Sequence, residues 1–163
     1  MAESERAPDA GAGSPVRAEL EVPPGAAAGA LLYVPVYSHV LHQSGEAAMY
    51  VTATVNVRNT DLASAIVVTR ADYHDSKGAL VERRVESPVR IGPLASTQFV
   101  VAQADKRGGA GASFLVEWHA ETAASDPVVE AVMIGTSGQQ GVSFVTQARV
   151  LRRIGEGSPT EAE

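Results

Sequence analysis

Between positions 49 and 58 the chain alternates. Met49, Val51, Ala53, Val55 and Val57 fall on one side, and Tyr50, Thr52, Thr54, Asn56 and Arg58 fall on the other. Successive side chains of a strand point to opposite faces, so this period of two predicts a strand with one buried side. The pattern returns in "SFLVEWHAE", which puts Phe114, Val116, Trp118 and Ala120 on the core face and His119 on the opposite one, beside Glu117 and Glu121. "AIVVTRADYHD" begins β-branched and turns polar on one side, and "STQFVVA", "PVVEAVMIG" and "VSFVTQARVL" read as further strands. "ALVERRV" and "SPVRI" are shorter. Pro88 and Pro93 keep them off a central ladder, because proline has no N–H to donate.

Turn signals separate these runs. "NTD" at 59–61 and "DSKG" at 75–78 carry the residues that turns favour, and "DKRGGAGA" at 105–112 reads as a loop. Seven or eight short strands without a convincing helix predict an all-β fold. The expected architecture is an antiparallel β-sandwich of immunoglobulin-like type, with a small barrel as the alternative. Exposed edge strands could pair across a dimer, but the sequence marks no particular edge.

Composition sets the boundaries. Residues 1–30 hold nine Ala, four Gly, four Pro and two Ser. Such a segment buries too little apolar surface to offset its ordering entropy, so 1–30 reads as a disordered acidic tail and 155–163 as a second one. The β-sandwich domain is then 31–154. A chain of 163 residues with 45% apolar positions has room for one core. The net charge of −6 lies in the tails, since 31–154 carries eleven acids and eleven bases. A neutral body offers no electrostatic footprint for nucleic acid or an anionic membrane.

No cysteine is present, which excludes disulfides and thiolate chemistry. No apolar run approaches the ~18–20 residues of a transmembrane helix. The first residues show no apolar leader core, so the expected location is cytoplasmic, or cell envelope or periplasm if an export signal is missing from this chain.

The candidate chemistry is sparse. His39 and His42 lie in "SHVLHQ", and His74 shares a strand face with Asp72. A metal site needs three or four converging donors. His39, His42 and His74 supply one if their strands meet at one end of the sandwich, and otherwise they are rim histidines. Ser38 precedes His39, but neighbours on a strand face opposite ways. The G-x-S-x-G elbow is absent, because "GTSG" brings its second glycine one place early. "KRGGAGAS" puts its basic residues before the glycines, unlike a phosphate-binding loop. The expectation is therefore a non-catalytic protein without a cofactor, with a hydrolase as the weaker alternative.

"GTSGQQGVSF" remains. It reads as a connection from about Gly135 to Gly141 in which Thr136, Ser137, Gln139 and Gln140 offer hydroxyl and amide groups. It is either a solvated hairpin or a polar recognition lip, set alongside Tyr37 and His39 of "YSHVLHQ". Loops on a rigid sandwich are where binding groups concentrate. The expected partner is an unknown protein or a small polar ligand.

The segments "VPVYSHV", "VRNTD", "DYHDSKGALV", "PLASTQFVV", "GGAGASFLVEW" and "VVEAVMIGTSGQQGVSFVTQARV", in that order, resemble a bacterial family known as domain of unknown function 3124. The resemblance covers about residues 33–150. It implies a small bacterial protein, often exported or lipid-anchored, and brings no catalytic residue. The sequence departs from that setting in showing no leader and no lipobox cysteine. The combined expectation is a binding or assembly module of the cell envelope.

Overall fold

The period-two segments fold as strands, and no helix occurs among the described residues of the computed structural model, which are 20 and 22–154. The tail readings thus fall, for 1–19, 21 and 155–163, outside the described residues. In chain order the strands are β1 (Ala28–Pro35), β2 (His39–His42), β3 (Ala47–Tyr50), β4 (Thr52–Arg58), β5 (Ile66–His74) and β6 (Leu80–Arg83). They continue with β7 (Val89–Ile91), β8 (Ser96–Val101), β9 (Ser113–Ala120), β10 (Val128–Ser137), β11 (Gln140–Gln147) and β12 (Arg149–Arg153). The first of them begins inside the stretch read as tail.

There are twelve strands among the described residues where seven or eight were expected. The difference comes from breaks that periodicity cannot see. The chain after Pro35 leaves β1 and starts a separate hairpin of β2 and β3. Val51 interrupts the predicted 49–58 strand, its N–H donating to the Ser38 carbonyl at 3.0 Å. The final run divides at Ala148, whose N–H turns to the Val129 carbonyl at 3.0 Å.

All pairings are antiparallel. The larger sheet runs β12-β1-β9-β5-β6, with β7 also on β5, and the smaller runs β11-β10-β4-β8. The β2–β3 hairpin is a third, two-stranded unit. Among the described residues no ladder joins the two main sheets, so the arrangement is sandwich-like and not a closed barrel.

The inner faces meet in one apolar core. From the larger sheet come Leu32, Val34, Phe114, Val116, Trp118 and Tyr73; from the smaller come Val55, Val57, Phe99, Ala131 and Met133. Phe114 stacks on Tyr73 with ring centroids 5.1 Å apart. Trp118, Tyr73 and Phe114 are the largest fully buried side chains. Burying each large apolar side chain is worth about 1.5–3 kcal/mol. The faces predicted for β4 and β9 are the faces that turn inward.

The other face of β9 departs from expectation. Glu117 and His119, beside Trp118 in sequence but on its opposite side, are 0% and 5% exposed. Every residue of β9 is buried. It is the middle strand of the larger sheet, and side chains of β1 and β5 flank it on that side as well.

Candidate functional site

The late polar stretch is tighter than its composition suggests. Ser137 pairs with Gln140, so the turn is Gly138 and Gln139 alone. The expected long connection from Gly135 to Gly141 is therefore corrected to a two-residue hairpin. Gly138 takes φ +61°, and glycine at the first central position is what a tight turn of the II′ kind requires. Thr136, Ser137, Gln139 and Gln140 are all exposed, and none has an intramolecular side-chain partner among the described residues.

This hairpin is anchored against the β2–β3 region. Gly135 packs where any Cβ would press on the Tyr50 carbonyl oxygen and lie 2.9 Å from Val51 Cγ1. The Tyr37 ring meets Phe144 of β11 edge-on, with centroids 5.3 Å apart at 79°. Tyr50 then links outward. The His39 ring lies 5.5 Å from the Tyr50 ring, and Lys106 Nζ stands over the Tyr50 ring, 4.2 Å from its centroid. Tyr37, His39 and the lip residues thus share one end of the sandwich. The sequence carried no signal for Tyr50 and Lys106, because their meeting joins the end of β3 to a loop more than fifty positions along the chain.

The backbone of this end is tied together. Val36 N–H donates to the Ala112 carbonyl and Ser38 N–H to the Gly109 carbonyl, both at 3.0 Å. The 105–112 loop is therefore docked onto the segment that carries Tyr37 and His39. Within it Arg107 contacts Asp105 at 2.7 Å and Glu82 at 3.2 Å. The Arg107 guanidinium holds the Asp105 carboxyl below the usual carboxylate range, against a smaller opposing effect of burial.

Ser38 and His39 do touch, with Oγ 3.1 Å from Nδ1. The alternation argument fails here because Ser38 precedes β2 and occupies a bend. Ser38 is 1% exposed, so its hydroxyl is closed to solvent. His42 is exposed near the tip of the small hairpin. His74 is buried in β5, its Nδ1 3.2 Å from the Asp72 carbonyl. Among the described residues no three His, Asp or Glu side chains gather as a metal would need, so His39, His42 and His74 do not converge on a site.

A second polar cluster lies on the outer face of the larger sheet. Its origin is a register shift: Val68 faces Trp118, but Arg70 faces Glu117, leaving Thr69 as an extra residue. This is a β-bulge, a device that re-aims side chains. Thr69 Oγ1 donates to Glu117 Oε1 at 2.8 Å, and Arg70 Nη2 stands 3.4 Å from Glu117 Oε2. His119 Nδ1, two residues along, is buried and has no hydrogen-bond partner among the described residues. Beyond Glu117 lies a shallow apolar depression of about 280 Å³ lined by Leu31, Tyr33, His74, Ser113, Leu115 and Leu151. The sequence named Glu117 and His119 but gave no sign that their face is covered.

Two antiparallel sheets closed over one apolar core define an all-β, sandwich-like domain. The chain belongs to the family described as "Protein of unknown function (DUF3124)", which its residues 29–151 match. No curated protein matches the chain. A solved structure titled "Crystal Structure of Thermotoga maritima 1070" is similar at 10% identity and a TM-score of 0.44, over 74% of this chain and 92% of that one. No helix among the described residues is long and apolar enough to cross a membrane.

Proposed function

We propose that this protein is a non-catalytic binding module that recognises a neutral polar partner at the hairpin end of the sandwich. The contact of Tyr37 with Phe144 carries the reading, since it joins the two segments whose polar groups make the lip. Thr136, Ser137, Gln139 and Gln140 offer unengaged donors and acceptors on strands fixed by ladder pairing. Tyr37, His39 and Tyr50 add aromatic surface at the same end of the sandwich, which suits a peptide amide or a sugar hydroxyl. A rigid support lowers the ordering cost of binding.

Two antiparallel sheets over a core containing Trp118 support the immunoglobulin-like description of the architecture. The family resemblance supports a bacterial cell-envelope setting.

The test uses defined peptide and glycan arrays probed with the purified chain. Probes retained by the wild type are then offered to the variant carrying Gln139→Ala and Gln140→Ala. The expected result is unchanged Tm with retention lost. Unchanged retention, or a variant that unfolds, overturns the reading.

A further inference from the structure

The outer face of the smaller sheet carries a row of β-branched side chains, three valines and a threonine. Thr54 of β4 pairs with Val100 of β8 on one side and Val132 of β10 on the other, and Val132 pairs with Val145 of β11. Val100, Thr54, Val132 and Val145 therefore stand side by side across the whole sheet. The adjoining row holds Thr52, Ile134 and Ser143. Val100, Ile134 and Val145 are 44%, 54% and 52% exposed. Scattered exposed apolar side chains are ordinary, but a contiguous β-branched strip on a sheet face marks an interaction surface.

We propose that this face is a self-association surface, in which a second copy packs the same strip against it about a two-fold axis. Charge chooses the occupant. The strip itself carries no ionisable group, and the charged residues of the same face, Arg58 and Glu130, lie at one end and pair with each other at 3.5 Å. A neutral surface whose flanking charges are already matched opposes its own copy without like-charge repulsion, and a two-fold contact must be complementary to itself. Edge-to-edge pairing is the competing mode. At β8 it is obstructed, because Arg84 Nη1 donates to the Val100 carbonyl at 2.8 Å and occupies an acceptor that a new strand would need.

Area sets the strength. Four strands spaced ~4.8 Å, with the seven residues of β4 rising ~3.4 Å each, give a footprint of about 450 Å² per copy. Two such faces make about 900 Å², below the ~1,200–2,000 Å² of stable complexes and in the range where association is reversible and weak. The dimer is thus concentration-dependent. The inference does not rest on the polar lip, which lies at the strand ends.

Sedimentation velocity of the full chain, from ~1 μM to ~1 mM, tests it. The expected result is a monomer–dimer equilibrium in the wild type. Val132→Glu and Val132→Lys, each checked for unchanged strand content by circular dichroism, should each raise the dissociation constant ~30-fold or more. An equal mixture of the two should restore the dimer, since opposite charges then face each other. Leu62→Lys, at an exposed site elsewhere, should change nothing. A wild type that stays monomeric throughout overturns the proposal, as does a dimer indifferent to the charge at 132. Loss of array binding in the lip variant with the dimer intact separates this inference from the proposed function.

Discussion

Arg70 and Glu117 face each other across β5 and β9, with Arg70 Nη2 3.4 Å from Glu117 Oε2 and their side chains 7% and 0% exposed. Removing one member of a buried ion pair leaves the other's charge uncompensated, at a cost of about 3–5 kcal/mol. Arg70→Met should therefore lower unfolding stability steeply in urea. Arg70→Met combined with Glu117→Leu should recover most of the loss, because a well-packed apolar pair needs no desolvation of charge. A double variant as unstable as the single would show that the pair supplies more than mutual neutralisation.

Gly135 is placed by contact with backbone. Its missing Cβ leaves room for the Tyr50 carbonyl, which cannot swing aside as a side-chain tip would. Gly135→Ala should cost about 1–3 kcal/mol by overpacking. Gly138→Ala meets open space but must hold φ +61°, so its cost should be about 1 kcal/mol from the left-handed backbone alone. Chemical denaturation of both variants distinguishes a packing cost from a conformational one. Chemical-shift changes at His39 and Tyr50 should accompany the first variant only.

Asp61 organises the opposite end of the sandwich. Its Oδ1 accepts from the N–H of Ala63 at 2.8 Å and of Ser64 at 2.7 Å, and its Oδ2 accepts from the N–H of Ser125 at 2.8 Å. Backbone donors from Ala63, Ser125 and Ser64 stabilise the carboxylate and pull its pKa down from 3.8 to about 2. A depressed folded-state pKa contributes stability that is complete above the unfolded value and lost as pH falls through the folded one. The melting temperature should thus fall between about pH 4 and pH 2, and Asp61→Ala should flatten that part of the profile. An unaltered pH profile in the variant would remove Asp61 as its cause.

Trp118 is the single tryptophan and is 1% exposed in the core. Native emission should be blue-shifted and resistant to acrylamide, and both properties should disappear in one step on unfolding. Trp118→Ala should cost about 3–5 kcal/mol through the cavity it leaves. Strong quenching of the native state would contradict the burial on which the sandwich reading depends.

The all-β class and the inward faces were legible because alternation is a local property. Val51, Val55, Phe114 and Trp118 can be assigned inward from their neighbours alone, and "NTD" and "DSKG" mark where strands end. For the candidate lip, the exposure of Thr136, Ser137, Gln139 and Gln140 is what a polar stretch implies, whereas the contact of Tyr37 with Phe144 of the same hairpin is a relation no local pattern records. The length of the turn was not legible, since seven small and polar residues permit many loops. Only ladder pairing out to Ser137 and Gln140 selects the two-residue one. His39, His42 and His74 show the same limit, because convergence is a relation among distant strands.

By itself the sequence determined which residues alternate, where turns interrupt them, and that the body is neutral between acidic ends. Tertiary structure decided which faces are covered. Glu117 reads as a solvent-side residue until Leu31 of β1 and Arg70 of β5 are brought beside it, 86 and 47 positions away in the chain. Val100, Val132 and Val145 read as unrelated apolar positions until register aligns them into one row. Periodicity records the direction of each side chain relative to its own backbone. Burial depends on what the rest of the chain places opposite it, and that is settled by packing.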